Sequence, residues 1–565
     1  MLVPAGLAGS ARGPALYVGT TQMAKNTNDR THTVASEPTQ DLTIRDLTFK
    51  GSVLGEGAPS TGSPQGFNLD DYPGLTWGGK PILDLEGVKD QIDGGVSDSV
   101  NGNVITYTFT DLSHLTSIYN NPNYGFTAGN GFSPFSEAQR AEAREAVELW
   151  DDLIAPEFVE KNGQGADIQF ANSADPAQAY AYYPGKGGYK FQSDVFVADP
   201  ELNPTNLWFD FNGYGATTLV HELGHAIGLS HPGAYNYDPE LELTYENYAE
   251  YAQDSLQYTI MSYWGAENTG SYNIDWSTFY FGNPQTPLLH DILTIQDKYG
   301  ADPTTRADDT VYGFNSTAGN AVYDFTQNEF PFLSIYDAGG TDTIDLSGFD
   351  AGVFLNLQDG QFSSAAQAVP TAEEIMAKWD EVIDPLFGEQ GTISQDQVTA
   401  ISNSYIAYNA SQIALDTGVG GVAATEYDNI SIAYGTIIEN GIGGSARDVL
   451  WGNAVDNVLE GRGGNDVLDG FAGDDTLWGG EGADLFQFHD VETGDTIADF
   501  ETGVDGIDLR PFGFDSFIDG AEFSETAGAL RVADGVLAGD LDGDGLADFA
   551  VAVQGSAVAA ADLLL

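Results

Sequence analysis

Three textures of hydrophobic and polar positions follow one another along the chain. From about Gly66 to Asp302, short alternating runs are mixed with stretches of helical spacing. Val104–Phe109 (VITYTF) alternates as a strand does, and Ala166–Ala171, Ala179–Tyr183 and Asp194–Val197 predict further short strands. Ser136 and Gln139 form a capping box, and the run through Arg144, Val147 and Trp150 to Leu153 keeps helical spacing. A second helix is predicted from near Thr217 and a third from about Pro287 to Tyr299. Helices and strands in this order are an α+β pattern. After Asp302 the chain becomes β-rich and glycine-rich, with an interruption at about 365–425. That stretch holds a helical stripe over Thr371–Leu386 and a second helix-like run near 395–415. Residues 1–65, rich in Gly, Ser, Thr and Pro, read as a tail or pro-segment.

The third texture is a repeat. Gly443–Phe488 contains GGSARDVLW, GNAVDNVLE, GRGGNDVLD, GFAGDDTLW and GGEGADLFQ, with Asp448, Asn457, Asp466, Asp475 and Asp484 at a constant step of nine. Two positions further on stand Leu450, Leu459, Leu468, Leu477 and Phe486. In such nonapeptides glycines allow a tight turn, their carbonyls and the Asp carboxylate ligate calcium, and a short strand turns its apolar residue inward. Two units make one turn of a parallel β-roll, so Asp448, Asp466 and Asp484 should stack on one side and Asn457 and Asp475 on the other. Gly461, Gly463, Gly470, Gly479 and Gly482 are the candidate turn ligands. Because the units conform unequally to the pattern, two or three well-formed calcium sites are expected here.

Composition sharpens this picture. The chain has 85 acidic and 19 basic residues among 565, a formal charge of −66. Such acidity argues against nucleic acid as a partner, because phosphate needs a basic face. It also asks for screening cations, and calcium, with its oxygen ligands and flexible geometry, is the natural one. No cysteine is present, which removes disulfides, zinc ribbons and thiolate catalysis. No run approaches the roughly 20 apolar residues of a membrane span. Met1–Gly19 contains Pro4, Arg12 and Pro14 and lacks a cationic start, so a cleaved secretory signal is not expected.

The chemistry concentrates in His221-Glu222-Leu-Gly-His225-Ala-Ile-Gly228-Leu-Ser-His231. Histidines four apart lie on one helix face and suit a single metal ion. Gly228 can end the helix at positive φ and turn the chain so that His231 supplies a third imidazole. Three neutral nitrogens with an open fourth position are the arrangement of a catalytic zinc, and Glu222 reaches toward a zinc-activated water. Met261 in Tyr258-Thr-Ile-Met-Ser-Tyr263-Trp264 would form an apolar floor. His290 and His32 are read as ordinary residues.

HELGHAIGLSHPG followed by TIMSYW, and then PLLHDILTIQDKYGAD, resembles the serralysin family of secreted zinc endopeptidases. The likeness covers about 66–350 and 427–565. It implies a metzincin catalytic domain over 66–302 and a calcium-binding parallel β-roll of RTX type over 303–565, with the 365–425 insertion. It makes Glu222 the general base and Tyr263 a residue that ligates zinc at rest and stabilises the oxyanion. Ala179–Gly185 (AYAYYPG) resembles the edge strand along which such enzymes lay substrate. Two further calcium sites are implied: one from Arg306, Asp308, Thr310, Asp337, Gly339, Gly340 and Asp342, the other from Gly340, Asp342 and Glu439. Asp540–Gly545 begins like an EF-hand loop but has Val551 where the bidentate Glu should be, so a tight turn serves equally. The end, Asp562-Leu-Leu-Leu565, reads as a frayed apolar tail or, by the resemblance, part of an uncleaved type I secretion signal.

The expectation is a secreted, calcium-stabilised, monomeric zinc endopeptidase acting on protein or peptide substrates and exported by type I secretion machinery. The alternative is a calcium-dependent surface or adhesion protein with a non-proteolytic metzincin domain.

Overall fold

The computed structural model describes residues 68–565, apart from 96–102, 111, 120–130, 175–177, 185–192, 237–240, 490, 492–493, 520–521 and 524–526. The tail at 1–65, with His32, and Gly185 of the AYAYYPG segment therefore lie outside the described residues.

Helix α1 (Leu85–Ile92) is followed by β1 (Val104–Thr108), α2 (Glu137–Asp151), β2 (Glu157–Glu160), β3 (Ile168–Ser173), β4 (Ala179–Ala181), β5 (Val195–Ala198), α3 (Tyr214–Ala226) and α4 (Leu289–Tyr299). The strands form a mixed sheet in the order β2-β1-β3-β5-β4, parallel except for β4, with the short strand Phe132–Ser133 pairing against β3. The box at the start of α2 is closed in both directions. Gln139 N donates to Ser136 Oγ at 3.2 Å and Ser136 N to Gln139 Oε1 at 3.0 Å. Trp150, fully buried on α2, donates from Nε1 to the Val220 carbonyl at 3.0 Å and so holds α3 in place. Helix α3 starts at Tyr214, ahead of the predicted Thr217, on an N-cap glycine that offers no side chain for sequence reasoning to find.

Beyond residue 302 most of the short strands line up in two parallel columns, with antiparallel pairing at Phe362–Ser363 and among the strands from Ala529 to Gly555. Val449, Val467 and Leu485 pair in register in one sheet, and Val458 pairs with Thr476 in the other, so partners are 18 residues apart. Leu450, Leu459, Leu468, Leu477 and Phe486 all point inward with no exposure. The carboxyl end is not frayed: Leu563–Leu564 adds a strand beside Gly506–Asp508, with Leu563 buried. Backbone pairing and apolar burial there outweigh the entropy of a free end. Asp540–Gly545 is a tight turn between Val536–Asp540 and Phe549–Gly555, with Asp540 accepting from the Gly543 and Gly545 amides.

The 365–425 stretch is helical, with α5 (Ala372–Lys378), a π-helical turn at Trp379–Ile383 and α6 (Gln395–Thr417). Although it interrupts the β region in sequence, its Ile375, Trp379, Val398 and Tyr405 share one buried cluster with Trp208, Tyr272, Trp276 and Tyr280. Lys378 pairs with Asp210 at 2.8 Å across the same seam. Among the described residues no helix is long and apolar enough to cross a membrane.

Candidate metal centre

Helix α3 presents His221 and His225 one turn apart, and the chain then reverses. Gly228 takes φ +108°, Gly228 N donates to the His225 carbonyl at 3.0 Å, and Leu229 N to the Gly224 carbonyl at 2.9 Å. The reversed strand is pinned to the end of α1, where Ser230 N donates to the Ile92 carbonyl at 2.6 Å. This brings His231 back against the helix.

The three Nε2 atoms then form a small triangle, with sides of 3.1 Å (His221–His225), 3.1 Å (His225–His231) and 3.3 Å (His231–His221). Behind each ring, Nδ1 meets a backbone carbonyl: His221 with Ile260 at 2.7 Å, His225 with Leu229 at 2.7 Å, and His231 with Tyr235 at 3.0 Å. A carbonyl only accepts, so each Nδ1 carries the proton and each Nε2 lone pair faces the other two. Burial pushes the His221 imidazolium down to about 4. It pushes His225 and His231 well below the ordinary value, with the neighbouring imidazoles adding to the effect. Three neutral imidazoles with converging lone pairs repel unless a cation sits among them, so these residues fit a zinc ion.

The surroundings are built to hold this tripod. Glu222 is fully buried. The Tyr183 ring meets His225 edge-on at 5.5 Å, and its hydroxyl is pushed up by burial and by the Glu222 charge. Tyr263 lies 4.4 Å from His231, ring centre to ring centre, and 6.4 Å from His221. Met261 is fully buried beneath α3, where a Cβ on Gly224 would come within 2.7 Å of its Sδ. Two buried carboxylates fix the loop that carries Met261 and Tyr263. Asp291 of α4 accepts from the Ile260 amide at 2.7 Å and from Thr259 at 2.6 Å. Asp254 accepts from Tyr235 at 2.8 Å, Ser262 at 2.7 Å and Trp264 at 3.1 Å, and burial pushes its carboxyl up to about 7 despite them. Tyr235, Asp254 and Asp291 were not legible as site residues, because they touch no ligand and no motif spacing marks them. His290 is a structural partner, its Nε2 2.9 Å from Asp70 Oδ2.

The stacked aspartates bond in columns. Asp448 N donates to Asp466 Oδ1 and Asp466 N to Asp484 Oδ1, both at 2.9 Å, while Asn457 N donates to Asp475 Oδ1 at 2.8 Å. The columns continue to Asp505 and Asp495, which accept from Asp484 N at 3.1 Å and Asp475 N at 3.0 Å. Those steps are 21 and 20 residues, so a search at nine or eighteen misses them. Asp466 Oδ2 and Asp484 Oδ2 are buried without a hydrogen-bond partner among the described residues. A Cβ on Gly461 would lie 2.7 Å from both Asp466 Oδ2 and the Gly479 carbonyl. On Gly479 it would lie 2.5 Å from Asp484 Oδ2, and on Gly470 2.0 Å from Asp475 Oδ2. On Gly482 it would overlap the Gly464 carbonyl. Gly463 meets nothing closer than 3.9 Å, and its neighbour Gly464, at φ +143°, makes the close approach to Asp466 instead. These oxygen-lined cradles suit calcium.

Upstream, Thr310 N donates to Asp342 Oδ1 at 2.8 Å, Thr310 Oγ1 to the Asp308 carbonyl at 2.8 Å, and Asp342 N to Glu439 Oε2 at 2.7 Å. Gly339 N donates to Asp337 Oδ1 at 2.8 Å, and Gly340 leaves no room for a Cβ against Asp308 and Asp342. Asp342 Oδ2 is buried without a partner among the described residues, and burial with the charges of Asp337 and Glu439 pushes the carboxyl up to about 7. The Arg306 guanidinium is engaged with Asp152 at 2.6 Å, which leaves only its carbonyl for a cation.

Residues 301–376 and 391–565 match the family described as "Peptidase M10 serralysin C terminal". That match spans most of the segment read above as an insertion and leaves out only 377–390. Metallopeptidase AprA of Pseudomonas marginalis is 36% identical over 510 residues, covering 86% of this chain and 91% of the relative. A serralysin of Photorhabdus luminescens is 38% identical over 67% of each chain. Metalloprotease AprA of Pseudomonas entomophila is 35% identical over 78% of this chain and 79% of its own.

Proposed function

The chain belongs to the serralysin family, and from that premise we propose that it is a secreted zinc endopeptidase whose C-terminal β-roll is held by calcium. The observation that carries the reading is the triangle of Nε2 atoms with every Nδ1 committed to a carbonyl. In this reading residues 66–302 are a metzincin catalytic unit and 303–565 the roll. His221, His225 and His231 would hold the zinc, with Tyr263 as a ligand at rest. When bound, zinc supplies Lewis acidity, lowering the pKa of water to about 7 and polarising a carbonyl.

The protein's own groups do the rest. Glu222 takes a proton from the attacking water and returns it to the leaving amine. Tyr263, beside His231, donates a hydrogen bond to the oxyanion as it develops. β4, the edge strand of the sheet, offers main-chain pairing to an extended substrate and so asks little of its sequence. The Asp columns and the group around Asp342 would hold calcium. Export by type I secretion machinery follows from the family reading.

Glu222→Gln tests the assignment. It should retain the metal content of the wild type while casein hydrolysis falls by roughly 10²–10⁴-fold. Near-normal hydrolysis by a zinc-loaded variant would remove Glu222 from the role of base.

A further inference from the structure

Gln178, the residue immediately before β4, is fully buried, and its amide is committed on both sides. Nε2 donates to Asn206 Oδ1 at 2.6 Å and to Thr218 Oγ1 at 3.1 Å, and Oε1 accepts from Asn203 Nδ2. Thr205 Oγ1 lies 3.2 Å from Oε1 and 2.7 Å from Asn203 Oδ1, sharing its one hydrogen between them. The orientation of each group follows from its neighbours. Asn206 Nδ2 faces two carbonyls, of Ala198 at 3.0 Å and Gln178 at 3.3 Å, so its oxygen is the atom turned to the Gln178 amide. The Thr218 hydroxyl gives its hydrogen to the Tyr214 carbonyl at 2.7 Å, so it presents a lone pair to that same amide. A side chain with two donors and an acceptor meets this set, whereas a glutamate would turn an oxygen toward two acceptors.

These bonds join β4 to the turn Pro204–Leu207 and to α3. Strand β4 is three residues long and, among the described residues, pairs only with β5, so ladder bonds hold it on one side. Thr218 precedes His221 by three residues and Glu222 by four, which makes it their neighbour along the helix. Past the other end of β4, Tyr182 N donates to the Asp194 carbonyl at 3.1 Å, and the Tyr183 ring meets His225 at 5.5 Å. The segment is therefore tied to α3 one turn ahead of the histidines and touches it again at one of them. A satisfied polar network of this kind fixes one arrangement of the elements that it joins. Placement on that scale matters to a reaction, since an error of about 1 Å can cost about 10²-fold in rate.

We propose that Gln178 is a positioning residue for hydrolysis. Its bond to Thr218 sets where β4 stands against α3, and so where an extended substrate's scissile bond falls relative to His221, His225 and His231. The proposal rests on the reading of β4 as the substrate strand. The full-length, zinc- and calcium-loaded protein is given an octapeptide spanning a casein bond that it cuts, and the tetrapeptide centred on the same bond. Wild type should favour the octapeptide in kcat/KM, because that peptide has more main chain to pair along β4. Gln178→Ala, with the zinc content of the wild type, should lose at least tenfold of that ratio. Thr218→Val, which keeps the shape and removes the oxygen, should lose it too, and Thr218→Ser, which keeps the oxygen, should preserve it. Binding without cutting gives a second readout: calorimetric octapeptide affinity of Glu222→Gln should weaken at least tenfold when Gln178→Ala is added. A smaller folded fraction lowers both rates alike and leaves their ratio unmoved, so misfolding does not imitate this result. An unchanged ratio and affinity on removing the Gln178 amide or the Thr218 oxygen would overturn the proposal while leaving β4 as the substrate strand. Equal kcat/KM for the two peptides in the wild type would remove β4 from that role, and the proposal with it.

Discussion

Behind each metal-facing imidazole stands a carbonyl, not a carboxylate, so the tautomer is set by backbone that no side-chain substitution removes. What substitution can disturb is the packing that aims those carbonyls. Gly224 lies where a Cβ would come within 2.7 Å of Met261 Sδ and 3.1 Å of Trp150. Gly224→Ala should therefore cost about 1–3 kcal/mol by overpacking and weaken zinc retention, because the same turn of α3 carries both histidines. Thermal melting and competition with a zinc chelator check this; unchanged melting and zinc affinity would show that the contact is slack. In the proposed role, where the Tyr263 hydroxyl acts as charge develops on the oxyanion, Tyr263→Phe should lower kcat more than it raises KM. A pure KM effect would place Tyr263 in substrate binding instead.

At the scale of elements, the parts legible in sequence were those with a strict period or a polar cap. The nine-residue step gave the roll strands and their inward apolar row, and Ser136 with Gln139 marked the start of α2. The start of α3 on Gly213 was blurred because that helix begins without a side-chain cap. The continuation of the columns past Asp475 and Asp484 to Asp495 and Asp505 was missed because those steps, of 20 and 21 residues, break the nine-residue period. The seating of α5 and α6 against Trp208 and Trp276 was not legible at all, since that contact joins residues some 150 apart in sequence with no local signature. The Asp columns also predict a pH dependence. Without an ion, burial pushes Asp448 up to about 7, Asp466 to about 8 and Asp484 to about 6, while the unfolded aspartates titrate near 4. Between those limits the folded chain holds protons that the unfolded chain has lost, so stability in chelator should fall as pH rises from about 4 to 8. Saturating calcium should reverse the trend, because it binds the ionised form and holds the folded pKa values down. The melting temperature would then be high above pH 5 and fall on acidification. Parallel slopes in chelator and calcium would contradict the proposed role of these columns.

Over the whole molecule, a charge of −66 makes compactness depend on its counterions. An ion that binds the folded roll alone stabilises by mass action, about 2.7 kcal/mol per site at a hundredfold excess over Kd. Millimolar calcium should raise the melting temperature of the roll steeply and magnesium much less, because magnesium demands tight octahedral geometry. Equal effects of the two ions would reduce the role of calcium to screening. The central claim is that one zinc ion on His221, His225 and His231 makes this chain an endopeptidase. The most direct test is to strip the calcium-loaded protein with 1,10-phenanthroline, dialyse, and follow metal content and casein hydrolysis together as zinc is returned. Hydrolysis should vanish with the metal and recover in proportion to zinc up to one equivalent, and His225→Ala should neither hold that equivalent nor recover. Full hydrolysis by the zinc-free protein, or recovery by His225→Ala, would contradict the account.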